Sequence, residues 1–156
     1  MDKDEIKYWR RTLKNYYYLK RQEKNLNKEI LSLDMKIEEE RLAVHGMNYE
    51  GTTAVVGDGC SVHYAKSQPI HYLVNKQTEL NAKLNIVVEK YRNLDKTNKI
   101  CERFKNIPIE SQIIINYIFQ RQMTLDEVAR IEGEEVSKTT IKNRVDKALM
   151  EMIKAC

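Results

Sequence analysis

Basic, amide and hydroxyl side chains are concentrated between residues 137 and 147. Lysine and arginine can donate hydrogen bonds to guanine, asparagine can pair with adenine, and threonine can contact a base or a phosphate. Apolar residues at helical spacing predict a helix over about 137–154, with its buried stripe on another face. That stripe consists of Ile141, Val145, Ala148, Leu149 and Met152. The pattern predicts a helix that offers polar groups to the major groove of double-stranded DNA.

The place of each polar residue along this helix predicts its role. Ser137 suits the N-cap, and the residues just after it belong to the end that contacts base edges in a recognition helix. Arg144 and Lys147 lie further along and are expected to hold phosphates. Thr124 is expected to cap the preceding helix, whose exposed start could also meet a phosphate. The residues predicted to contact DNA are Thr124, Ser137, Lys138, Thr139, Thr140, Lys142, Asn143, Arg144 and Lys147.

Charge is distributed unevenly over the C-terminal segment. Residues 121–135 contain two basic and five acidic side chains, for a net −3, whereas residues 137–156 contain five basic and two acidic ones, for a net +3. This arithmetic predicts that the positive potential lies on the last helix alone. A helix that approaches DNA needs such charge, because neutralised phosphates supply most of the non-specific affinity.

Three short amphipathic helices are predicted in the C-terminal third, over about 109–121, 124–132 and 137–154. The small side chain of Ala129 would let the second and third helices approach where they cross. Gly133 suits the position that ends the second helix. The plain alternative is a three-helix bundle whose surface is basic at one end.

Two long helices are predicted before this segment, from residue 3 to about 45 and from about 70 to 104. The first carries apolar residues at heptad spacing, which are Leu19, Leu26, Ile30, Leu33 and Ile37. The second carries a similar stripe, which consists of Leu73, Leu80, Val87, Leu94 and Cys101. Matching stripes predict an antiparallel helical hairpin. The stripes could also recruit a second copy of the chain, and a purely intramolecular hairpin is the alternative.

Residues 46–69 interrupt the helical pattern, since they hold four of the five glycines and one of the two prolines. Runs of β-branched residues flank the sequence GDG here, so a small β-hairpin and an irregular flexible loop are both compatible with this segment. Cys60 and His63 form a C-x-x-H pair within it. A zinc site needs four converging ligands, and one such pair does not supply them, so no metal site is predicted.

Aromatic and basic residues alternate in the segment WRRTLKNYYYLKR near the N-terminus. Such residues could stack on nucleic acid bases. Trp9, Tyr16 and Tyr17 fall near the apolar stripe of the first helix, however. We therefore expect them to pack on the second helix or on a partner.

The overall composition favours helices. Charged residues make up 32% and hydrophobic ones 42%, with only 5 glycines and 2 prolines. No apolar run approaches the ~20 residues of a membrane span, and the charged N-terminus does not resemble a signal peptide. Three widely spaced cysteines, Cys60, Cys101 and Cys156, are interpreted as free thiols in a reducing cytoplasm. The sequence contains no phosphate-binding glycine motif, and neither an enzymatic activity nor a cofactor is expected.

The sequence TLDEVARIEG…VSKTTIKNRVDKALMEM resembles the helix-turn-helix of region 4 of bacterial sigma factors. The matching residues are Thr124, Leu125, Glu127, Val128, Ala129, Ser137, Thr140, Ile141, Ala148 and Leu149. The preceding PIESQIIINYIFQRQ resembles the helix that leads into that motif, and the likeness covers roughly 50 of 156 residues. Ala129 and Ser137 are eight positions apart, and Glu132 stands where such motifs usually have an apolar residue. The connection between the two helices is therefore predicted to be longer than in the usual sigma-like motif.

The layout of the whole chain is similar to that of small phage transcriptional regulators such as the ArpU-like and RinA-like late-gene activators. The resemblance implies an all-α protein that binds double-stranded DNA, controls phage or prophage late genes in a bacterial cytoplasm and could touch host RNA polymerase. Residues 1–104 would form the hairpin for homodimerisation or partner docking, and residues 105–156 a three-helix helix-turn-helix domain. A small-terminase-like DNA-packaging protein and a helical protein-interaction module without DNA binding are the alternatives.

Overall fold

The computed structural model describes residues 3–50, 69–133 and 135–155, with the backbone alone for residues 44–50. These residues form six α-helices and one π-helical segment, and no strand occurs among them. The helices are α1 (Lys3–Glu50), α2 (Ile70–Asn98), α3 (Ile100–Asn106), α4 (Ile109–Ile115), α5 (Leu125–Glu132) and α6 (Lys138–Lys154), and the π-helical segment Asn116–Gln120 continues α4. The predicted all-α class is confirmed for this part of the chain. None of the described helices combines the length and apolar character that crossing a membrane requires.

Helix α1 continues beyond its predicted end near residue 45 and runs through Gly46 to Glu50. Glycine weakens a helix by about 1 kcal/mol relative to alanine but keeps its backbone N–H, so a single glycine does not have to end one. The predicted β-hairpin or loop falls mostly on residues 51–68, which lie outside the described residues. Cys60 and His63 lie outside them as well.

The helix predicted from about 70 to 104 is not continuous. It breaks at Lys99, whose φ of 52° and ψ of 44° are left-handed. The carboxylate of Asp95 accepts a hydrogen bond from the backbone N–H of Cys101 at 2.8 Å, and the Arg103 side chain donates to the carbonyl of Asn98 at 2.9 Å. These side chains satisfy backbone groups on both sides of the break, which offsets the strain of a left-handed lysine.

The helix predicted over 109–121 changes its winding at Asn116. A π-helical segment follows, and its backbone bonds include one from the N–H of Arg121 to the carbonyl of Asn116 at 2.9 Å. The wider turn delays the return of the helix to its buried face by one residue. Phe119 lies in the core, whereas Ile118 is only half-buried.

The described helices group into two compact units. The first, here called the terminal unit, combines residues up to Arg21 with residues from Val88 onward. The second, here called the middle unit, comprises Gln22–Val87. This division differs from the predicted boundary at 104/105, because buried side chains at the start of α1 belong to the same core as the C-terminal helices.

The terminal unit has a core of sixteen buried residues among those described. Four come from α1, and the predicted stripe of α6 is fully buried, which confirms that part of the pattern. Helix α6 packs against α3, α4 and α5. The core residues are Trp9, Leu13, Tyr16, Tyr17, Ile100, Ile107, Ile114, Ile115, Phe119, Val128, Ala129, Ile141, Val145, Ala148, Leu149 and Met152.

The middle unit has a smaller core. Leu33 and Ile37 of α1 and Leu73 and Leu80 of α2 are buried together, and Leu26, Ile30 and Ile70 pack partly buried against them. All but Ile70 belong to the predicted heptad stripes. The amide of Gln77 donates a hydrogen bond to the carboxylate of Asp34 within the same unit.

Candidate nucleic-acid interface

The start of α5 is fixed by a capping box, as the cap prediction for Thr124 required. The Thr124 hydroxyl accepts from the backbone N–H of Glu127 at 3.2 Å, and the Glu127 carboxylate accepts from the backbone N–H of Thr124 at 2.8 Å. A cap of this kind contributes about 1 kcal/mol. The acidic side chains of Asp126 and Glu127 occupy the first turn. A phosphate near this helix end therefore needs positive charge from elsewhere.

The start of α6 is capped by Ser137, which is also as predicted. Its hydroxyl accepts from the backbone N–H of Thr140 at 3.2 Å, and the two hydroxyl groups lie 2.9 Å apart. The side chains of Ser137 and Thr140 are exposed, but they hydrogen bond to each other. Their role in the structure is to fix the first turn of the helix.

The predicted DNA-reading residues of α6 form one exposed face. The side chains of Lys138, Thr139, Lys142 and Asn143 are all exposed, and none of these side chains makes a hydrogen bond or ion pair with another described residue. Lys147 is exposed and equally without such a partner in the described ranges. The rest of the helix is anchored by its five fully buried apolar residues. The structure thus holds the helix rigidly while its polar groups stay available to a ligand.

The connection between α5 and α6 is long but ordered at both ends. Gly133 ends α5 with a φ of 134°, a region that favours glycine, and its N–H donates to the carbonyl of Ala129 at 3.1 Å. The N–H of Val136 donates to the carbonyl of Gly133 at 3.2 Å, and the half-buried Val136 side chain packs against the core. The extra length is therefore accommodated without disturbing either helix.

Arg144 and Glu132 form an ion pair across this connection, with 3.3 Å between the guanidinium and the carboxylate. Both side chains are partly exposed, at 43% and 32%. Glu132 thus has a charged partner at the position where sigma-like motifs usually have an apolar residue. Exposed pairs contribute at most about 1 kcal/mol, so a phosphate could compete for Arg144.

Basic residues outside α6 position this helix, and the sequence analysis did not assign them this role. The Arg10 guanidinium lies 2.6 Å from the Asp146 carboxylate. Arg103 donates to the carbonyls of Met152 and Ile153 at 3.0 and 2.6 Å, near the C-terminal end of α6. Arginines at the last carbonyls of a helix also interact favourably with its dipole.

Trp9, Tyr16 and Tyr17 of α1 are buried within the terminal unit, which confirms that these three side chains pack in the protein. The Arg103 guanidinium lies 5.0 Å from the centre of the Trp9 ring. The Tyr16 hydroxyl is 3.3 Å from the sulfur of Cys101. Burial raises the pKa of both tyrosines, and that of Tyr17 reaches about 12.

The terminal unit also carries positive charge outside the C-terminal segment to which the charge prediction applied. Residues 6–22 of α1 contain six basic side chains and no acidic one. Because α1 contributes to the terminal unit up to Arg21, much of this charge belongs to the same unit as α6. The run of unopposed basic residues was the signal that could have identified this contribution.

No group of three or more histidine, cysteine, aspartate and glutamate side chains is placed to hold a metal ion in the described ranges. Cys101 is a free thiol. Comparison with protein-family models, with curated proteins and with solved structures found no match for this chain. The function is therefore inferred from the surface chemistry of the terminal unit.

Proposed function

We propose that this chain is a sequence-specific, double-stranded DNA-binding transcription regulator. In this proposal α5 and α6 form a helix-turn-helix with a lengthened turn, and α6 enters the major groove. The observation that carries it is the exposed face of α6, whose basic and amide side chains have no partner among the described residues. The apolar stripe of this capped helix is buried, so its exposed polar face is not needed for packing. This arrangement supports recognition of a ligand by that face.

The spacing of these residues supports direct contact with bases. Lys138, Thr139, Lys142 and Asn143 are separated by one helical turn and so share one side of α6. They lie near its N-terminal end, which contacts base edges in helix-turn-helix proteins. Lysine can donate to guanine and asparagine can pair with adenine. Lys147 and Arg144 lie nearer the C-terminal end and suit phosphates.

The experiment uses DNA duplexes that the full chain selects from a random-sequence pool. Replacing Lys142 and Asn143 with alanine should weaken binding to the selected duplex by about 1–3 kcal/mol per lost base contact. Both side chains are exposed, so the circular dichroism spectrum should not change. Lys154→Ala is the matched control, because it removes a charge from the last turn of the same helix. Unchanged binding by the double variant would exclude α6 as the reading helix.

The biological setting is proposed from the resemblance given above. The chain would act on late genes of a phage or prophage in the cytoplasm of a bacterial host. Contact with RNA polymerase would make it an activator. It would need neither a cofactor nor an enzymatic activity.

We also infer that α1 and α2 form an antiparallel hairpin in the middle unit and that this hairpin mediates homodimerisation. Leu31, Met35 and Leu42 of α1 are 59–62% exposed and are spaced by four and seven residues. This spacing matches a coiled-coil seam on the side of α1 away from the Leu33 and Ile37 core. In an antiparallel pair centred between Leu31 and Met35, Lys28 of one copy would face Glu38 of the other. Opposite charges at this register favour a second copy of the chain.

Light scattering of the full chain tests this inference by measuring its mass. Leu31→Glu combined with Met35→Glu should convert a dimer into a monomer, because two charges would have to be buried in the seam. Lys36→Glu reverses a charge elsewhere on the same helix and should leave the mass unchanged. A mass equal to one chain at all concentrations would contradict dimerisation. A ring of many copies would favour the DNA-packaging alternative.

A further inference from the structure

A basic cleft lies between α1 and the start of α5 in the terminal unit. It has a volume of about 590 Å³, and Thr124 and Leu125 form part of its wall. Its charged lining residues are Arg10, Lys14 and Arg21, and no acidic residue of the described ranges lines it. A cleft that contains only positive charge attracts anionic ligands.

The three basic residues of the cleft differ in how they are engaged. Arg21 donates to the backbone carbonyls of Phe119 and Gln120, at 2.9 and 3.2 Å, and so links α1 to the π-helical segment. Arg10 is paired with Asp146 of α6. The Lys14 side chain is exposed and makes no hydrogen bond or ion pair with any described residue. Lys14 is therefore the cation of the cleft that is open to a ligand.

The cleft adjoins the proposed reading face of α6. Asp146 lies one helical turn after Lys142 and three positions after Asn143, so these residues share a side of the helix. The ion pair between Asp146 and Arg10 places the basic side of α1 next to that face. A duplex whose major groove receives α6 must run its phosphate backbone past the neighbouring surface.

The start of α5 lies against the same cleft. In helix-turn-helix proteins the helix before the recognition helix crosses the DNA backbone. Here Asp126 and Glu127 make the first turn of that helix acidic, which disfavours a phosphate. Lys14 in the adjacent cleft supplies the missing positive charge.

We propose that the N-terminal part of α1 is a second DNA-contacting element, in which Lys14 binds a backbone phosphate of the duplex that α6 reads. Arg10 supports this contact by neutralising Asp146 beside it. This inference rests on the proposed DNA-binding function and extends it to a helix that the sequence analysis assigned to dimerisation or partner docking. The ligand is the sugar-phosphate backbone, so the contribution is independent of base sequence.

The test measures the affinity of the full chain for two probes as a function of salt concentration. One probe is a mixed-sequence DNA duplex and the other is the duplex selected by the wild-type chain. Lys14→Ala should lower the slope of log affinity against log salt by about 0.9, which corresponds to about an eightfold loss of affinity at about 0.1 M monovalent salt. The loss should be equal for both probes, and Lys14→Arg should restore most of the affinity.

The control is Lys105→Ala, since Lys105 is another exposed lysine of the terminal unit without a partner in the described part of the chain. It should bind like the wild type. Wild-type affinity and slope for Lys14→Ala would overturn this inference, and the proposed function would stand if the Lys142 and Asn143 variant still lost binding. A loss confined to the selected duplex would also overturn it, because that result indicates a base contact. Absence of salt-dependent DNA binding by the wild type would contradict both proposals.

Discussion

The terminal and middle units share the two long helices α1 and α2 but differ in the size of their cores. In the terminal unit, sixteen described residues share one core, and the exposed face of α6 is polar and basic. In the middle unit, four residues are fully buried together, while three large apolar residues of α1 are more than half exposed. The comparison indicates that the terminal unit is stabilised by its own core and keeps the polar side chains of α6 exposed. The middle unit has fewer buried residues and leaves these three apolar side chains exposed.

The largest expected effect comes from removing α1, together with the other residues before 105, from the terminal unit. A fragment of residues 105–156 lacks five of the sixteen buried core residues, which are Trp9, Leu13, Tyr16, Tyr17 and Ile100. Each such side chain contributes about 1.5–3 kcal/mol or more, and a whole domain has a stability of only about 5–15 kcal/mol. The fragment should therefore show no cooperative thermal transition by circular dichroism. A fragment that melts as sharply as the full chain would show that the C-terminal helices form a domain by themselves.

A single core substitution in each unit makes the comparison quantitative. Leu13 is fully buried, and Leu13→Ala should lower the free energy of unfolding of the terminal unit toward the upper end of the range of about 2–5 kcal/mol. Leu33→Ala should cost less, because the partly exposed neighbours of Leu33 can close over the space. Urea denaturation of both variants measures the difference. Equal losses would contradict the inferred contrast between the two cores.

Alkaline pH should weaken the terminal unit through its buried tyrosines. Burial raises the pKa of Tyr17 from 10.0 to about 12, and burial also raises that of Tyr16. Between pH 10 and 12 the unfolded chain loses these protons while the folded chain keeps them, so stability present below pH 10 is lost as the pH rises. The loss should approach about 1.4 kcal/mol per pH unit for each tyrosine.

Denaturation of the Tyr17→Phe variant across this pH range tests the predicted loss of stability. That variant should lose less stability than the wild type, because one of the two groups no longer ionises. Tyr72→Phe alters an exposed tyrosine of the middle unit and should retain the full dependence. Identical pH profiles for the wild type and Tyr17→Phe would contradict the role of burial.

The smallest expected effect concerns the ion pair between Arg144 and Glu132. Glu132→Gln should change stability by less than about 1 kcal/mol, because both side chains are partly exposed. The freed Arg144 should strengthen DNA binding and steepen the salt dependence by about one phosphate contact. Salt titrations of DNA binding measure this change. A weaker affinity would indicate that the pair is needed to orient α6.

The features that sequence could predict are those with local causes. The five-residue stripe of α6 follows from helical periodicity, and its burial is complete. Thr124 and Ser137 cap their helices through bonds to residues three positions away, so the short-range pattern was sufficient. Gly133 ends α5 where a positive φ is needed.

The features that sequence did not predict depend on contacts between distant residues. The break at Lys99 is stabilised by the side chains of Asp95 and Arg103. In the sequence, these two residues are equally compatible with a continuous helix. The π-helical segment shifts the buried face by one residue, which a regular period cannot show. Trp9, Tyr16 and Tyr17 were expected to pack on the second helix or on a partner, whereas they share one core with the C-terminal helices. The Arg10 contact with Asp146 joins residues 136 positions apart.

A titration of isotope-labelled full chain with a mixed-sequence DNA duplex, followed by NMR, tests the central claim most directly. Amide signals of residues 137–147 should shift, together with that of Lys14, while those of residues 26–42 in the middle unit should stay in place. The shifts should diminish as salt is added. Shifts confined to the middle unit, or no change at the exposed face of α6, would contradict the account.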